Sequence, residues 1–463
     1  VSETGAKKDR REAPVTRVGV ISLGCAKNLV DTEVMLGHLD GAGHRLVSDP
    51  ADADVIVVNT CGFIEAAREE SIQTILEAAE LKKTGHLRRL VVAGCMVQRY
   101  PEELRESLPE VDSFIGLDQL SEIIDSVPER DGAQAGGPLQ IVSGTGSSYL
   151  YDETTPRMLA TPPWTAYVKI AEGCDHTCSF CAIPSFRGRF RSRAPESVVR
   201  EARELASRGV REINLIAQDS SDYGRDLGRA DGLERLLEEL DGLPGVRWIR
   251  VHYLYPNTIT DRLIESMARL DRVVKYVDLP LQHAHPETLR RMRRGGTAAG
   301  HLRLLERFRS SIPDAAFRTT LIVGFPGETE AEFAALEEFV AEARFDHLGV
   351  FTYSHEKGTL AGDGEDDVPA EVKNERRERI MKLQQGIART ANERWVGRTL
   401  EVLVEGTHPE TDRLLVGRLS TQAPDVDGQV LINDGSAGPG EFVPVELTEV
   451  AGYDLVGRIA RAA

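Results

Sequence analysis

No stretch of this chain approaches the ~20 consecutive apolar residues that a membrane-spanning helix needs, so no such helix is expected. The opening residues, VSETGAKKDRREAPVT, lack the apolar core of a secretory signal and read as a short disordered tail over 1–15. On that basis the chain is placed in the cytoplasm. It also lacks a basic surplus. Against 56 Lys and Arg stand 74 Asp and Glu, for a formal net charge of -18. Such a surface repels phosphate, which argues against loose nucleic-acid binding and suits a basic protein partner better. No internal repeat or low-complexity tract is present. Cysteine is scarce, with six in 463 residues. In a reducing compartment, thiols so few are better read as ligands or catalytic groups than as disulfides.

What is present is alternation. A chain of this length predicts two to four domains. From 16 to 130, apolar runs such as TRVGVISLG, DADVIVVNT and LRRLVVAG alternate with helical patterns such as FIEAAREESIQTILEAAELKK. That is the signature of βαβ units and a mostly parallel sheet. Residues 131–162 are rich in Gly, Ser, Thr and Pro and read as a linker carrying at most one hairpin. A second alternating region, 163–393, offers six strands: AYVKIAEG, REINLIAQ, VRWIRVHYL, VVKYVDLPL, FRTTLIVGF and DHLGVFTYS. Eight βα units close a barrel; six predict a partial, open one. Thr329 and Glu332 have capping-box spacing at the start of one of its helices. A long charged helix, AEVKNERRERIMKLQQGIARTANERW, leads out. Residues 394–463 change to short strands with Gly and Asp turns, which predicts a small antiparallel β-barrel. The fold class is thus α/β and multidomain.

Chemistry concentrates in EGCDHTCSFC, where Cys174, Cys178 and Cys181 stand at i, i+4 and i+7. Three cysteines cannot pair off as disulfides. A zinc site needs a fourth ligand, which His176 inside the loop could supply, although such sites usually build from C-x₂-C pairs. A buried structural thiol set fits poorly with Asp175, His176 and Ser179 in the same loop. The remaining reading is a four-iron cubane held by three thiolates, which leaves one iron open. The other cysteines, Cys25, Cys61 and Cys95, each end a predicted strand. In a parallel sheet those ends line one edge, so residues far apart in sequence can converge there. Gly24, Gly62 and Gly94 flank them and would let the backbone approach a bulky inorganic group. Three independent half-buried thiols are the bland alternative.

The C-x₃-C-x₂-C spacing, with Phe180 before the last Cys, resembles the radical S-adenosylmethionine (SAM) superfamily. Over nearly its whole length the chain is similar to the methylthiotransferase family of that superfamily. SLGCAKNLVDTE, NTCGFIEAAREES and AGCMVQRY resemble its N-terminal domain. KIAEGCDHTCSFCAIPSFRGRFRSR and TTLIVGFPGETEAEF resemble the radical SAM core, and the C-terminal segment resembles a TRAM domain. NTCGFI and GRLSTQAPDVDGQVLI resemble the branch that methylthiolates the β-carbon of an aspartate in a small-subunit ribosomal protein. A sister branch modifies an adenosine beside the tRNA anticodon. One departure is Ala26, where that ribosomal branch commonly carries Pro; it donates no ligand.

The resemblance implies two 4Fe–4S clusters, one on Cys25, Cys61 and Cys95 and one on Cys174, Cys178 and Cys181. The amino and carboxylate groups of SAM would fill the open iron of the second. A first SAM would methylate a sulfur held by the N-terminal cluster. A second, cleaved reductively at the core cluster, would yield the radical that takes the aspartate β-hydrogen, and the carbon radical would collect the methylthio group. Beyond the cluster ligands no catalytic residue is assigned. Phe180, Gln218 and Gly324 are expected at the SAM site. The implied partners are a basic ribosomal protein of the small subunit, an electron donor and a sulfur donor, with nucleic acid not the primary substrate. tRNA methylthiolation, and a non-catalytic redox sensor, remain as alternatives.

Other features are weighed on their residues. Arg187, Arg189, Arg191 and Arg193 alternate, so an extended chain would put them on one face, where one could meet the SAM carboxylate. His283 and His285 suggest local capping rather than metal binding. The run Arg290–Arg294 reads as a solvated basic face with slight support for RNA contact. From Arg394 onward, eleven Asp or Glu outnumber six Lys or Arg. Asp425, Asp427 and Glu441 lie in or near predicted turns and are expected to be exposed, where they would dock a basic protein.

Overall fold

The computed structural model describes residues 15–127, 139–141 and 146–460. The expected tail therefore lies outside the described residues except for Val15. The chain divides into two compact units. One comprises Val1–Tyr149, Thr154–Ala160 and Ser185–Arg187; the other comprises Leu150–Glu153, Thr161–Pro184 and Gly188–Ala463. No described helix is long and apolar enough to cross a membrane.

The N-terminal unit is built on six parallel strands: β1 Arg17–Ser22, β2 Arg45–Val47, β3 Val55–Thr60, β4 Arg89–Gly94, β5 Ser113–Ile115 and β6 Leu139–Ile141. Their order is β2-β1-β3-β4-β5-β6. Successive residues of β3 point to opposite layers. Val55 and Val57 pack with Met35 and Leu39 of the helix Ala26–Gly41. Ile56 and Val58 pack with Ile75 and Ala78 of the helix Glu65–Thr84. A strand covered on both faces has no polar side, which is why these strands read as unbroken apolar runs. β6 falls in the segment expected to be linker. It pairs in parallel with β5, so it is a sheet strand and not a hairpin arm.

The second unit opens with β7 Thr165–Lys169, followed by β8 Ala171–Glu172 and β9 Arg191–Ser192, a short antiparallel pair. Five longer elements follow: β10 Glu212–Ile216, β11 Trp248–Val251, β12 Tyr276–Asp278, β13 Ala316–Val323 and β14 His347–Thr352. β7, β10 and β11 form one parallel ladder and β12, β13 and β14 another, joined by a parallel bridge between Ile249 and Val273. Six strands in chain order, with helices between them and no ladder from β14 back to β7 among the described residues, make the expected open barrel. The helix Glu330–Ala343 starts with the expected capping box, Thr329 and Glu332.

The C-terminal barrel closes through β15 Thr399–Thr407, β16 Leu415–Leu419, β17 Val430–Asp434, β18 Phe442–Ala451 and β19 Asp454–Ile459, in the order β15-β16-β17-β19-β18. Four ladders are antiparallel, but β17 and β19 pair in parallel. The barrel is therefore mixed and not antiparallel as expected. The reason is parity: strands that alternate in direction can close a ring with antiparallel ladders alone only when their number is even.

Buried charge joins this barrel to the amino ends of the core strands. Glu212 accepts from Arg418 at 2.6 Å, from Arg250 at 3.1 Å and from Thr165 at 2.9 Å. Burial pushes its carboxyl pKa up, but the two guanidinium groups outweigh that and hold it at about 2. Asp427 is equally committed. Its Oδ2 accepts from Tyr276 Oη at 2.7 Å and from the Ala423 amide at 2.8 Å, while Arg318 and His347 lie 3.4 and 3.5 Å from its Oδ1. Its side chain is 1% exposed. The expectation of an exposed Asp427 is corrected: the turn faces inward because a cationic pocket waits there. Asp425 and Glu441 are exposed as expected. Removing one partner from a buried ionic cluster costs about 3–5 kcal/mol. Asp427→Ala should lose that much in denaturant-induced unfolding, whereas Asp425→Asn should stay within about 0.5 kcal/mol of the parent.

Candidate metal centres

β1, β3 and β4 are neighbours, and their carboxyl ends carry the first three thiols. Register sets Ser22 against Asn59 and Thr60 against Gly94, so Cys61 and Cys95 leave adjacent strands at the same height. Each of the three thiols lies within electrostatic reach of the others. Two glycines permit this gathering. Gly24 has φ +89°, and a Cβ there would sit 2.8 Å from Cys61 Cβ; a Cβ on Gly62 would sit 2.7 Å from Met96 Cα. The glycines let the loops approach one another. Asn28 then ties the edge together by donating to Leu23 O at 2.7 Å and Thr60 O at 3.2 Å. Ser71 Oγ accepts from the Cys61 amide at 3.1 Å. Burial pushes the Cys95 thiol up to about 12 and raises that of Cys61, while the charge of Arg187 pulls both down. Arg187 Nη2 is 2.9 Å from Cys95 Sγ and 2.9 Å from Asp31 Oδ2.

In the second unit, Cys174, Cys178 and Cys181 occupy the loop after β8. Its shape is set by backbone bonds. The Cys174 amide donates to Gly188 O at 3.1 Å, the Ser179 amide to Met292 O at 3.0 Å, and the Cys181 amide to Cys178 O at 3.1 Å. Ser179 Oγ adds a bond to Arg291 O at 2.7 Å. Burial pushes the thiols of Cys174 and Cys181 up to about 12. Arg294 Nη1 lies 3.5 Å from Cys178 Sγ, with its guanidinium over the Tyr255 ring. His176 is not turned to the thiols. Its Nε2 is 2.6 Å from Asp219 Oδ2 and its ring stacks on Tyr255 at 3.9 Å. Its companions for a hard cation would be Asp219 and Asp222, whose ligand atoms lie within 4.8 Å of its own. Among the described residues no three thiols lie that close. Zinc, with Zn–S of about 2.3 Å, would hold sulfurs about 3.8 Å apart. In neither set do all three sulfurs stand as close as zinc would hold them.

The residues expected around SAM fall in two places. Phe180 is half-buried and packs against the cluster of Met292, Phe325 and Tyr353, so it meets the turn that begins at Gly324. That turn is braced by Glu328, which accepts from the Gly324 amide at 3.0 Å and from Arg376 at 2.8 Å. Gly324 has φ +70°, and its missing Cβ leaves room for Lys373, whose Cγ would lie 2.3 Å away. Its bareness therefore serves packing at that point. Gln218 stands beside Glu172, at the entry to the cysteine loop. Its Nε2 donates to Glu172 Oε1, and Lys169 donates to Glu172 Oε2 at 2.8 Å. A carboxylate only accepts, so the amide nitrogen must face it. Gln218 Oε1 is left buried with no partner among the described residues. A buried acceptor in want of a donor fits an ammonium group.

The four alternate arginines do not share a face. Arg187 ends the helix Ile183–Arg187 and is buried, Arg189 is exposed beside Asp175, and Arg193 is buried against Glu201 and the Tyr151 ring. A helical turn and a glycine break the extended run that the spacing suggested. The run Arg290–Arg294 is likewise not a plain solvated face. Arg291 pairs with Glu332 at 2.9 Å and Arg294 reaches the cysteine loop, so these two are engaged within the protein. His285 caps the helix Pro286–Arg291, as expected, and His283 accepts from the His285 amide at 3.0 Å. Sequence reasoning missed Asn28, Asp31, Glu328 and Arg376. The available signal was polar residues at helix positions that pack inward: Asn28 and Asp31 are both buried on the helix that follows Cys25.

Comparison with known proteins agrees with this geometry. Residues 17–116 match the family described as "Uncharacterized protein family UPF0004", 168–340 the radical SAM superfamily and 396–460 the TRAM domain. The chain is 51% identical over 444 residues to the ribosomal protein uS12 methylthiotransferase RimO of Anaeromyxobacter sp. (strain K), covering 96% of this chain and 93% of that protein. It is 48% identical over 443 residues to the RimO of Geobacter sulfurreducens, covering 96% and 98%. Among solved structures, the radical SAM methyltransferase TsrM from Kitasatospora setae matches with a TM-score of 0.54 at 15% identity, covering 75% of this chain and 77% of that one, a likeness of fold. Radical SAM membership carries with it a 4Fe–4S cluster and SAM. The chain belongs to the RimO family of radical SAM methylthiotransferases.

Proposed function

We propose that the chain adds a methylthio group to the β-carbon of an aspartate in ribosomal protein uS12, using two 4Fe–4S clusters. The observation that carries this is the disposition of the cysteines. All six of the chain's cysteines fall into two sets of three, and His176, the candidate fourth ligand in the core loop, is committed to Asp219. A site that supplies three of four ligands leaves a coordination position for something that is not protein. The relatives are named for action on uS12. A ribosomal protein is basic, and the chain's net charge of -18 favours that encounter. Such a reaction would run in the cytoplasm and would draw on an electron donor and a sulfur donor. The domains carrying it are 16–130, 163–393 and the TRAM barrel 394–463.

When bound, the clusters and SAM supply the sulfur, methyl and one-electron chemistry, so the protein's task is to hold and to exclude. Cys174, Cys178 and Cys181 would hold one cluster and Cys25, Cys61 and Cys95 the other. Gln218 Oε1 would accept from the ammonium of SAM, its orientation fixed by Glu172 and Lys169. Phe180, Phe325 and Tyr353 would wall the site with apolar surface and keep water out. Glu328, pinned by Arg376, would fix the backbone of the Gly324 turn against SAM.

Each assignment has a readout. Two cubanes mean about eight irons per chain. Replacing Cys174, Cys178 and Cys181 by Ala should halve the iron and abolish SAM cleavage to 5′-deoxyadenosine. Replacing Cys25, Cys61 and Cys95 should halve it and leave some cleavage. Full iron in the N-terminal triple variant would remove the second cluster. Gln218→Ala should weaken SAM binding about tenfold, the worth of one hydrogen bond to a charged group; unchanged affinity would take Gln218 out of the site. Mass spectrometry of uS12 from cells with and without the chain should show a gain of roughly 46 Da, the result of replacing C–H by C–S–CH₃. The same gain on tRNA, and none on uS12, would overturn the substrate.

A further inference from the structure

One cation in the N-terminal unit is not explained by holding a ligand. Arg187 comes from the short segment Ser185–Arg187, which belongs to that unit although it follows the core cysteine loop in sequence. Its side chain is 4% exposed. Its Nη2 reaches Cys95 Sγ at 2.9 Å, Asp31 Oδ2 at 2.9 Å and Asn28 Oδ1 at 3.5 Å. An ion pair placed only to secure the fold has no need of a sulfur. Here a donor of fixed positive charge is brought to a sulfur expected to bind iron. A guanidinium does not give up its proton in a protein, so the charge persists whatever the state of the site. Hydrogen bonds to cluster sulfurs and local charge are among the main determinants of a cluster's reduction potential. A nearby cation stabilises an added electron.

We propose that Arg187 is a positioning residue that sets the reduction potential of the N-terminal centre, by donating to the Cys95 sulfur and placing a fixed positive charge beside it. Asp31 is its counterweight. The carboxylate orients the guanidinium and offsets part of its charge, so the two residues act on the centre with opposite sign. This rests on the reading that Cys25, Cys61 and Cys95 hold a cluster.

The test uses the full chain with Cys174, Cys178 and Cys181 replaced by Ala, so that only the N-terminal set can retain iron. Iron content is measured first, then the midpoint potential by redox titration followed by electron paramagnetic resonance. In this background Arg187→Met should move the midpoint to lower potential, Asp31→Asn should move it higher, and Arg187→Lys should restore part of the loss. Iron content should stay at the background level in Asp31→Asn and Arg187→Lys. If Arg187→Met does not fold, the opposed shifts of the other two variants still decide the matter. Equal potentials in all variants that keep their iron would reduce Arg187 to an ordinary buried ion pair and overturn the proposal. Absence of iron in the background itself would remove the second cluster, and the proposal with it, a result distinct from unchanged potentials.

Discussion

Strand polarity in a parallel sheet is the constraint on which the chemistry depends. Every strand of such a sheet delivers its carboxyl end to the same edge, and ligands of open α/β sheets gather there. Cys25, Cys61 and Cys95 are far apart in sequence, yet β1, β3 and β4 are adjacent and in register, so a single edge collects them. In the core the same rule places the cysteine loop beyond β7 and β8, Gln218 beyond β10, and Gly324 beyond β13. The opposite, amino ends of the core strands are taken up by the C-terminal barrel through Glu212, Arg250, Arg418 and Asp427. One end of the open barrel is spent on structure, which leaves the other for ligands.

How much of this could be read from the sequence depended on whether the signal was periodic. Strands buried on both faces show as apolar runs, as β7, β10, β11 and β12 do; β13 and β14 are only partly buried and stood out as apolar-rich stretches between helical patterns. β2, β5 and β6 were not: each has only three residues, and unlike β12, equally short, none sits inside a longer apolar run such as VVKYVDLPL. The six cysteines were legible because thiolate spacing is itself chemical information. Charge was the least legible. Asp427 stands in a Gly- and Asp-rich turn, the usual mark of exposure, yet Tyr276, Arg318 and His347 receive it in a pocket. Those partners come from three separate strands, and no local pattern announces their convergence. The alternate arginines failed for a related reason. Their even spacing carries meaning only in extended chain, and Arg187 lies in a helix.

Buried charge of this kind is costly unless every member is paired, and replacing it with apolar residues is often neutral or stabilising. Two such clusters at one junction therefore call for a reason other than stability. The observed one is geometric. Glu212 takes bonds from β11 and β16 as well as from β7, and Asp427 is met by β12, β13 and β14. An apolar contact tolerates sliding, because dispersion has little direction. A carboxylate held by donors from three strands does not. The charges fix how the barrel seats on the strand ends, and with them the separation of strands that must present the cysteine loop and Gln218 at their other ends.

The same contrast between direction and burial explains the surroundings of the thiols. Burial alone raises a thiol pKa and keeps its proton, as it does for Cys95, Cys174 and Cys181. Binding iron requires the thiolate. A dry pocket lined only by apolar groups would oppose its own purpose. The structure places a guanidinium beside one sulfur of each set, Arg187 at Cys95 and Arg294 at Cys178, and in neither case is the cation itself a metal ligand. Arginine suits the task better than lysine, because it stays charged when buried and its several N–H groups can serve a sulfur and a second acceptor together. Arg187 serves Cys95 and Asp31; Arg294 serves Cys178 and the Pro280 carbonyl. Each pocket can therefore exclude water without forbidding the charge that its sulfurs would carry as iron ligands.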